Sequence, residues 1–132
     1  MKYPSDRDVV MVLCDDIRPE VGQKMGLLGV YIGDDIVFPP EAKELMLPTF
    51  CMMTWIRSGE GTCKFRFRVI RPNGESQTDV KDDIKLEKDA ATVHVLKFVN
   101  AAFAEGKYEV EIYFDDTVYR RSFRVKKAPI SA

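Results

Sequence analysis

The sequence predicts an all-β protein: an immunoglobulin-like β-sandwich of two antiparallel sheets, with roughly seven to nine strands and at most one short helical turn. Three observations carry that expectation. Residues 106–127 alternate apolar and polar side chains about Asp115-Asp116, as a β-hairpin does. Tyr108, Val110, Ile112 and Phe114 face away from Lys107, Glu109, Glu111 and Tyr113, and Tyr119, Phe123 and Val125 resume the pattern. Residues 62–70 alternate as cleanly, with Cys63, Phe65, Phe67 and Val69 against Lys64, Arg66 and Arg68. Finally, no stretch has the length and apolar period of a helix that would cover a parallel sheet, which excludes α/β architectures.

In chain order, Val9 to Cys14 is a β-branched run and reads as the first strand. Asp15 to Lys24, with Pro19 and Gly22, reads as a polar turn region. Met25 to Ile32 is a second strand, Gly33-Asp34-Asp35 a turn, and Ile36-Val37-Phe38 a short strand. The one helical turn is expected within Pro39 to Leu45, because Pro40 suits a first helical position and Glu41, Ala42, Lys43 and Glu44 favour helix. Pro48 to Arg57 is a long apolar strand, Ser58 to Gly61 a turn, and Pro72-Asn73-Gly74 a second strong turn. Glu75 to Asp89 is polar and has two readings, a pair of short strands or one edge strand with a bulge. Thr92 to Val99 is a strand with apolar residues on both faces, Ala101 to Gly106 a connection, and a short tail from Ala128 to Ala132 follows the closing hairpin. The disulfide of antibody-type domains has no counterpart, and Trp55 is a candidate core tryptophan.

A chain of 132 residues with 45% hydrophobic and 31% charged residues is read as one domain spanning 1–132, large enough to bury a core without disulfides or a structural metal. The net charge of −1 gives no overall field favouring nucleic acid or an anionic membrane. The apolar run Val9 to Cys14 is shorter than a signal-peptide core, and Asp6 and Asp8 stand where such a segment needs positive charge. Leu13 before Cys14 does not suit lipidation, so the expected compartment is the cytoplasm. The three cysteines agree with it: their number is odd and their spacing matches no zinc pattern, so all three are expected to be small core residues.

Four Asp-Asp pairs fall in expected turns: Asp15-Asp16, Asp34-Asp35, Asp82-Asp83 and Asp115-Asp116. Aspartate is a good turn residue because it hydrogen-bonds nearby backbone and tolerates left-handed geometry. Calcium also takes carboxylates from loops, which makes Asp34, Asp35, Asp115 and Asp116 a weak alternative metal site, although no EF-hand spacing is present. A glycosidase pair needs carboxyls about 5–10 Å apart across a cleft. Adjacent exposed aspartates supply no such cleft, so a hydrolase is the least favoured reading. The single histidine, His94, sits mid-strand between Val93 and Val95, which suits a packed residue better than a catalytic base.

Two basic sets, Lys64/Arg66/Arg68 and Arg120/Arg121/Arg124/Lys126/Lys127, are tested as nucleic-acid surfaces. Base stacking needs aromatic rings beside the charge, and Phe65 and Phe67 alternate away from it. Glu109 and Glu111 share a side with Arg120 or Arg124 in a simple hairpin register, so cross-strand pairing is expected to neutralise part of the charge. Arg121 alternates onto the apolar side, requiring either a bulge or a position at the core rim. Pro48 to Arg57 is apolar on both faces: Phe50, Met52 and Ile56 on one, Cys51, Met53 and Trp55 on the other. Either the Pro39–Leu45 segment or a terminus covers the second face, or Met53 and Trp55 belong to a protein interface.

The segment Leu13-Cys14-Asp15-Asp16-Ile17-Arg18-x-Glu20, then Gly22-x-Lys24-x-x-Leu27-Leu28-Gly29-Val30-Tyr31, resembles the opening of a bacterial family of small Ig-like β-sandwich domains of unknown function. The closing Gly106-Lys107-Tyr108…Phe123-Arg124-Val125 hairpin is similar to that family's ending. The resemblance implies a stand-alone bacterial cytoplasmic domain and leaves activity open. From the residues themselves the expectation is a non-enzymatic protein-binding or assembly module without cofactor, joined to a protein partner or to copies of itself, and not to nucleic acid or membrane. Its candidate binding residues are Asp15, Asp16, Arg18 and Glu20 at one corner, with Met53 and Trp55 on the apolar strand.

Overall fold

Where apolar and polar residues alternate, an extended backbone sends them to opposite faces, and two such sheets bury their apolar faces against each other. The computed structural model describes residues 1–130 and does this with nine strands. They are β1 (Val9–Glu20), β2 (Lys24–Val30), β3 (Asp35–Phe38), β4 (Met46–Ile56), β5 (Gly61–Ile70), β6 (Ser76–Leu86), β7 (Thr92–Ala102), β8 (Gly106–Phe114) and β9 (Thr117–Lys127). A four-stranded sheet has the order β2-β1-β4-β7 and a five-stranded sheet the order β3-β9-β8-β5-β6. The all-β sandwich is therefore as expected. One pairing, β3 with β9, is parallel rather than antiparallel. The last residues of the expected tail, Ser131 and Ala132, lie outside the described residues. No helix is long and apolar enough to cross a membrane among those described.

Several local expectations are corrected. Asp15 to Lys24 is not a turn: β1 continues to Glu20 and pairs with β2, leaving Val21-Gly22-Gln23 to reverse the chain with positive φ at Gly22 and Gln23. Strand formation depends more on neighbours than on intrinsic preference, and beyond Cys14 β1 is no longer paired with β4, which leaves room for Pro19. Asp82-Asp83 likewise lies within β6, whose charged residues suit an exposed sheet edge. Glu75 to Asp89 resolves into that single edge strand, with a register shift between Val69 and Ile70 opposite its start. Pro39 to Leu45 forms no helix. The Ala42 N–H donates to the Pro39 carbonyl at 3.1 Å in one tight turn, since so short a segment gains too few hydrogen bonds to nucleate a helix. Two 3₁₀ turns occur instead, at Asp6–Asp8 and Ile32–Asp34.

Phe50, Met52, Phe65, Phe67, Tyr108 and Phe123 fill the space between the sheets. Phe50 is central, with ring centroids of Phe103, Phe98 and Phe123 at 5.2, 6.1 and 6.4 Å. Arg121 needs no bulge, because the β8–β9 register is unbroken. Its guanidinium sits at the core rim and donates to the Asp6 carbonyl (2.7 Å), the Val9 carbonyl (2.9 Å) and Asp6 Oδ1 (3.0 Å), tying down the N-terminal segment.

Candidate interaction surface

The sandwich has two outer faces with opposite chemistry. On the five-stranded sheet, Arg66 grips Asp79 through two hydrogen bonds of 2.8 and 2.6 Å. Glu111 accepts from Arg68 at 2.8 Å and from Arg120 at 2.7 Å, the second being an expected cross-strand pair. Lys64 reaches Asp83 at 2.7 Å. Phe65 and Phe67 point inward and are buried, while the Arg66 guanidinium covers Tyr113 at 5.5 Å. The cleft of about 510 Å³ on this face is lined by Lys64, Arg66, Lys81, Asp82, Asp83 and Asp115, of which Lys64 and Arg66 are held by ion pairs to Asp83 and Asp79.

The four-stranded sheet presents the other face. Residues directly opposite each other on neighbouring strands share a face. The register therefore lays out rows: Val10–Trp55–Val93, then Val12–Met53–Val95, then Val30–Cys14–Cys51–Lys97, with Leu28 and Asp16 paired beyond on one side and Thr49 and Val99 on the other. Trp55 is 39% exposed, Val93 40%, Val95 37% and Val99 69%. Trp55 is consequently not a core tryptophan: the alternation that sends Phe50, Met52, Thr54 and Ile56 inward turns it out, with the Arg57 guanidinium 5.3 Å from its ring centroid. Ala42 and Leu45 pack against the core and not on this face.

Charge on the apolar face is local, with Asp16 between Lys97 and Arg18 and with Arg57 at Trp55. Lys97 Nζ donates to Asp16 Oδ1 at 2.9 Å, spanning Cys51 on the intervening strand. The Lys97 ammonium, helped by the Ile17 N–H, holds the Asp16 carboxyl below the usual carboxylate range, and Asp16 raises Lys97 in turn.

A family described as a family of unknown function (DUF6941) matches residues 9–126, from the first residue of β1 to within β9. The chain belongs to that family. No curated protein matches it. The match includes both segments that carried the resemblance, and the structure gives part of the opening motif a structural role. Asp15 turns inward, accepts from the Tyr31 hydroxyl, and lies against Gly29, whose φ is +64° and where any Cβ would collide with the Asp15 carboxylate. Burial, then the Asp15 hydrogen bond, push the Tyr31 hydroxyl far above its ordinary pKa.

Of the expected binding residues, Asp16, Arg18, Met53 and Trp55 share the outer face of the four-stranded sheet, but Met53 is buried beneath its neighbours there; Glu20 lies at the far end of β1, and Asp15 points to the opposite side. The Asp pairs weighed as a metal site are not brought together. Asp35 stands opposite Arg124 on β9, whereas Asp115 and Asp116 precede Thr117, about 23 Å away along the strand. Asp115 already accepts from the Tyr3 hydroxyl (2.6 Å) and the Lys64 N–H (2.9 Å), and Asp35 pairs with Lys126 at 3.2 Å. No group of three potential metal ligands occurs among the described residues. The single-strand view missed Val10, Val12, Leu28, Val30 and Lys97, although the two-faced apolar pattern of Thr92 to Val99 marked β7 as part of the surface.

Proposed function

We propose that the chain is a non-enzymatic assembly module, and that the outer face of its four-stranded sheet docks onto the same face of a second copy. The observation that carries this reading is the row structure of exposed valines around Trp55, uncovered by any described segment. Strand and residue spacings give the face on the order of 450 Å². The Lys97–Asp16 pair crosses that area, and apolar patches of a few hundred Å² on a monomer are commonly functional. Two such faces bury on the order of 1,000 Å² together, the lower end of specific interfaces, so association is weak and concentration-dependent. A second copy suits the electrostatics because a two-fold axis brings like against like, and the Lys97–Asp16 pair leaves the centre of the face without net charge.

The finer fold assignment belongs to the same reading. β4, β5, β6, β7, β8 and β9 pair as the B, C, C′, E, F and G strands of an immunoglobulin-type sandwich do, and the Tyr108 hydroxyl accepts from the Ala104 N–H at 2.9 Å in the manner of a tyrosine corner. Bacterial origin follows from the family resemblance, and the three free thiols favour the cytoplasm.

Sedimentation velocity over a concentration series tests the docking. The expected result is a monomer–dimer shift with rising concentration that Val95→Lys abolishes while the thermal transition is retained. A wild-type chain that stays monomeric throughout, or a dimer indifferent to Val95→Lys, overturns the reading.

A further inference from the structure

Cys14 and Cys51 stand directly opposite each other on the antiparallel strands β1 and β4. Both are fully buried, yet neither belongs to the core between the sheets. They project from the outer face: the Lys97–Asp16 bridge spans Cys51, the Cys14 thiol donates to the Asp16 carbonyl at 3.5 Å, and Val30 lies next to Cys14 and Lys97 next to Cys51 in the same row. We propose that Cys14 and Cys51 form a reversible cross-strand dithiol–disulfide pair, a modification site set into this face and closed by a surface ion pair. This does not depend on what docks there.

The geometry sets the character of the bond. Facing residues in antiparallel pairs have Cα atoms about 4.5–5.5 Å apart, inside the range of about 4.4–6.8 Å that disulfides span. The Arg57 N–H donates to the Asp8 carbonyl beside the Val9–Ile56 pair, and alternation from there makes Cys14–Cys51 a hydrogen-bonded pair, the wider kind. Facing side chains hold their Cβ atoms about 4.5–5.5 Å apart, wider than the roughly 3.5–4.5 Å of a disulfide, so closing the bond draws the strands together at one point. A disulfide under that tension is easier to reduce than a relaxed one, which suits a switch rather than a permanent staple.

The oxidant is a small organic disulfide such as oxidised glutathione. One protein thiolate attacks it and releases one glutathione thiolate, forming a mixed disulfide. The second protein thiolate then attacks the protein sulfur of that mixed bond, forming Cys14–Cys51 and expelling the second glutathione. The two protons lost by the cysteines go to the two glutathione thiolates. Burial raises both protein thiols, Cys14 to about 11, and at Cys51 the Asp16 carboxylate adds to the rise while the Lys97 ammonium opposes it. Attack by either thiolate requires the Lys97–Asp16 bridge to open.

The test treats the folded full-length chain with oxidised glutathione and reads intact mass and unreduced peptide maps. The expected result is loss of two hydrogen masses, a linked peptide pair carrying Cys14 and Cys51, and full reversal by dithiothreitol. Cys63, buried on the inward face of β5, remains alkylatable after denaturation and is the internal control. Lys97→Ala should oxidise faster than wild type, and Cys63→Ser should oxidise normally. Absence of the mass loss in wild type, persistent single glutathione adducts, or a linkage involving Cys63 would each overturn the proposal.

Discussion

The two outer faces differ less in exposure than in what their side chains have left to bind. On the five-stranded sheet, carboxylates and guanidiniums meet across strands: Glu111 serves two arginines and Asp79 takes a two-pronged grip from Arg66. On the four-stranded sheet, Trp55, Val93, Val95 and Val99 leave apolar surface open to solvent, and the charges gather where Asp16 meets Lys97 and Arg18. The more functional-looking sequence, a run of arginines and lysines, is thus the more self-contained surface. The blander one, a run of valines, retains unused binding capacity. A charged sheet face spends its polar groups on its own neighbours, while an exposed apolar face gains free energy only when something covers it.

The contrast is broken most severely on the charged face. Glu111→Ala strips both Arg68 and Arg120 of their shared acceptor, and because Glu111 and Arg68 are mostly shielded, a loss of about 2–3 kcal/mol is expected in urea unfolding. Acid comes next and acts on both faces. Asp79 is held below its ordinary pKa of 3.8 chiefly by Arg66, Asp16 chiefly by Lys97, and Asp8 and Asp115 by side-chain hydrogen bonds from serines and from Tyr3. Each carboxyl binds protons less readily folded than unfolded. Their contribution is complete above the unfolded value and disappears as pH falls through the folded ones, so melting temperature should drop steeply below about pH 4.

His94 adds an earlier part to that decline. Burial lowers its pKa from 6.5, where its ring packs tilted against Phe65 at a centroid distance of 4.4 Å opposite Thr54. The unfolded chain therefore binds the proton first, and stability begins to fall as pH drops below 6.5. His94→Phe should flatten the melting curve in that interval and leave the steeper loss near pH 4 in place. Asp79→Asn, which removes a half-exposed partner of Arg66, should cost about 0.5–1 kcal/mol, an effect that shrinks in high salt. The smallest stability effect is expected from Val99→Ser on the apolar face, within about 0.5 kcal/mol in the same unfolding assay, although it should weaken dimerisation in sedimentation.

Much of the sandwich was legible because period-two alternation is a local signal. Cys63, Phe65, Phe67 and Val69 were placed inward by spacing alone, and so were Tyr108, Val110, Ile112 and Phe114. Two elements were misread for a common reason. β1 beyond Cys14 and the middle of β6 are aspartate-rich strands that pairing with a neighbour holds extended, and no local pattern reports a neighbour. The helical turn at Pro39 to Leu45 failed the other way, its local preference too short-ranged to pay for nucleation. The surface was half visible: Met53 and Trp55 were found as an apolar second side of one strand, but its extent needed the register of four.

By itself the sequence determined the class of the protein, the inward set of each well-patterned strand and the family, since these depend on residue spacing along one chain. Tertiary structure decided which strands became neighbours. That placed Val10 beside Trp55 and Trp55 beside Val93, Lys97 across from Asp16, and Cys14 opposite Cys51. Positions 37 residues apart in a chain can face each other only when a register is chosen, and the register is set by the summed burial of whole faces, not by the residues that end up touching.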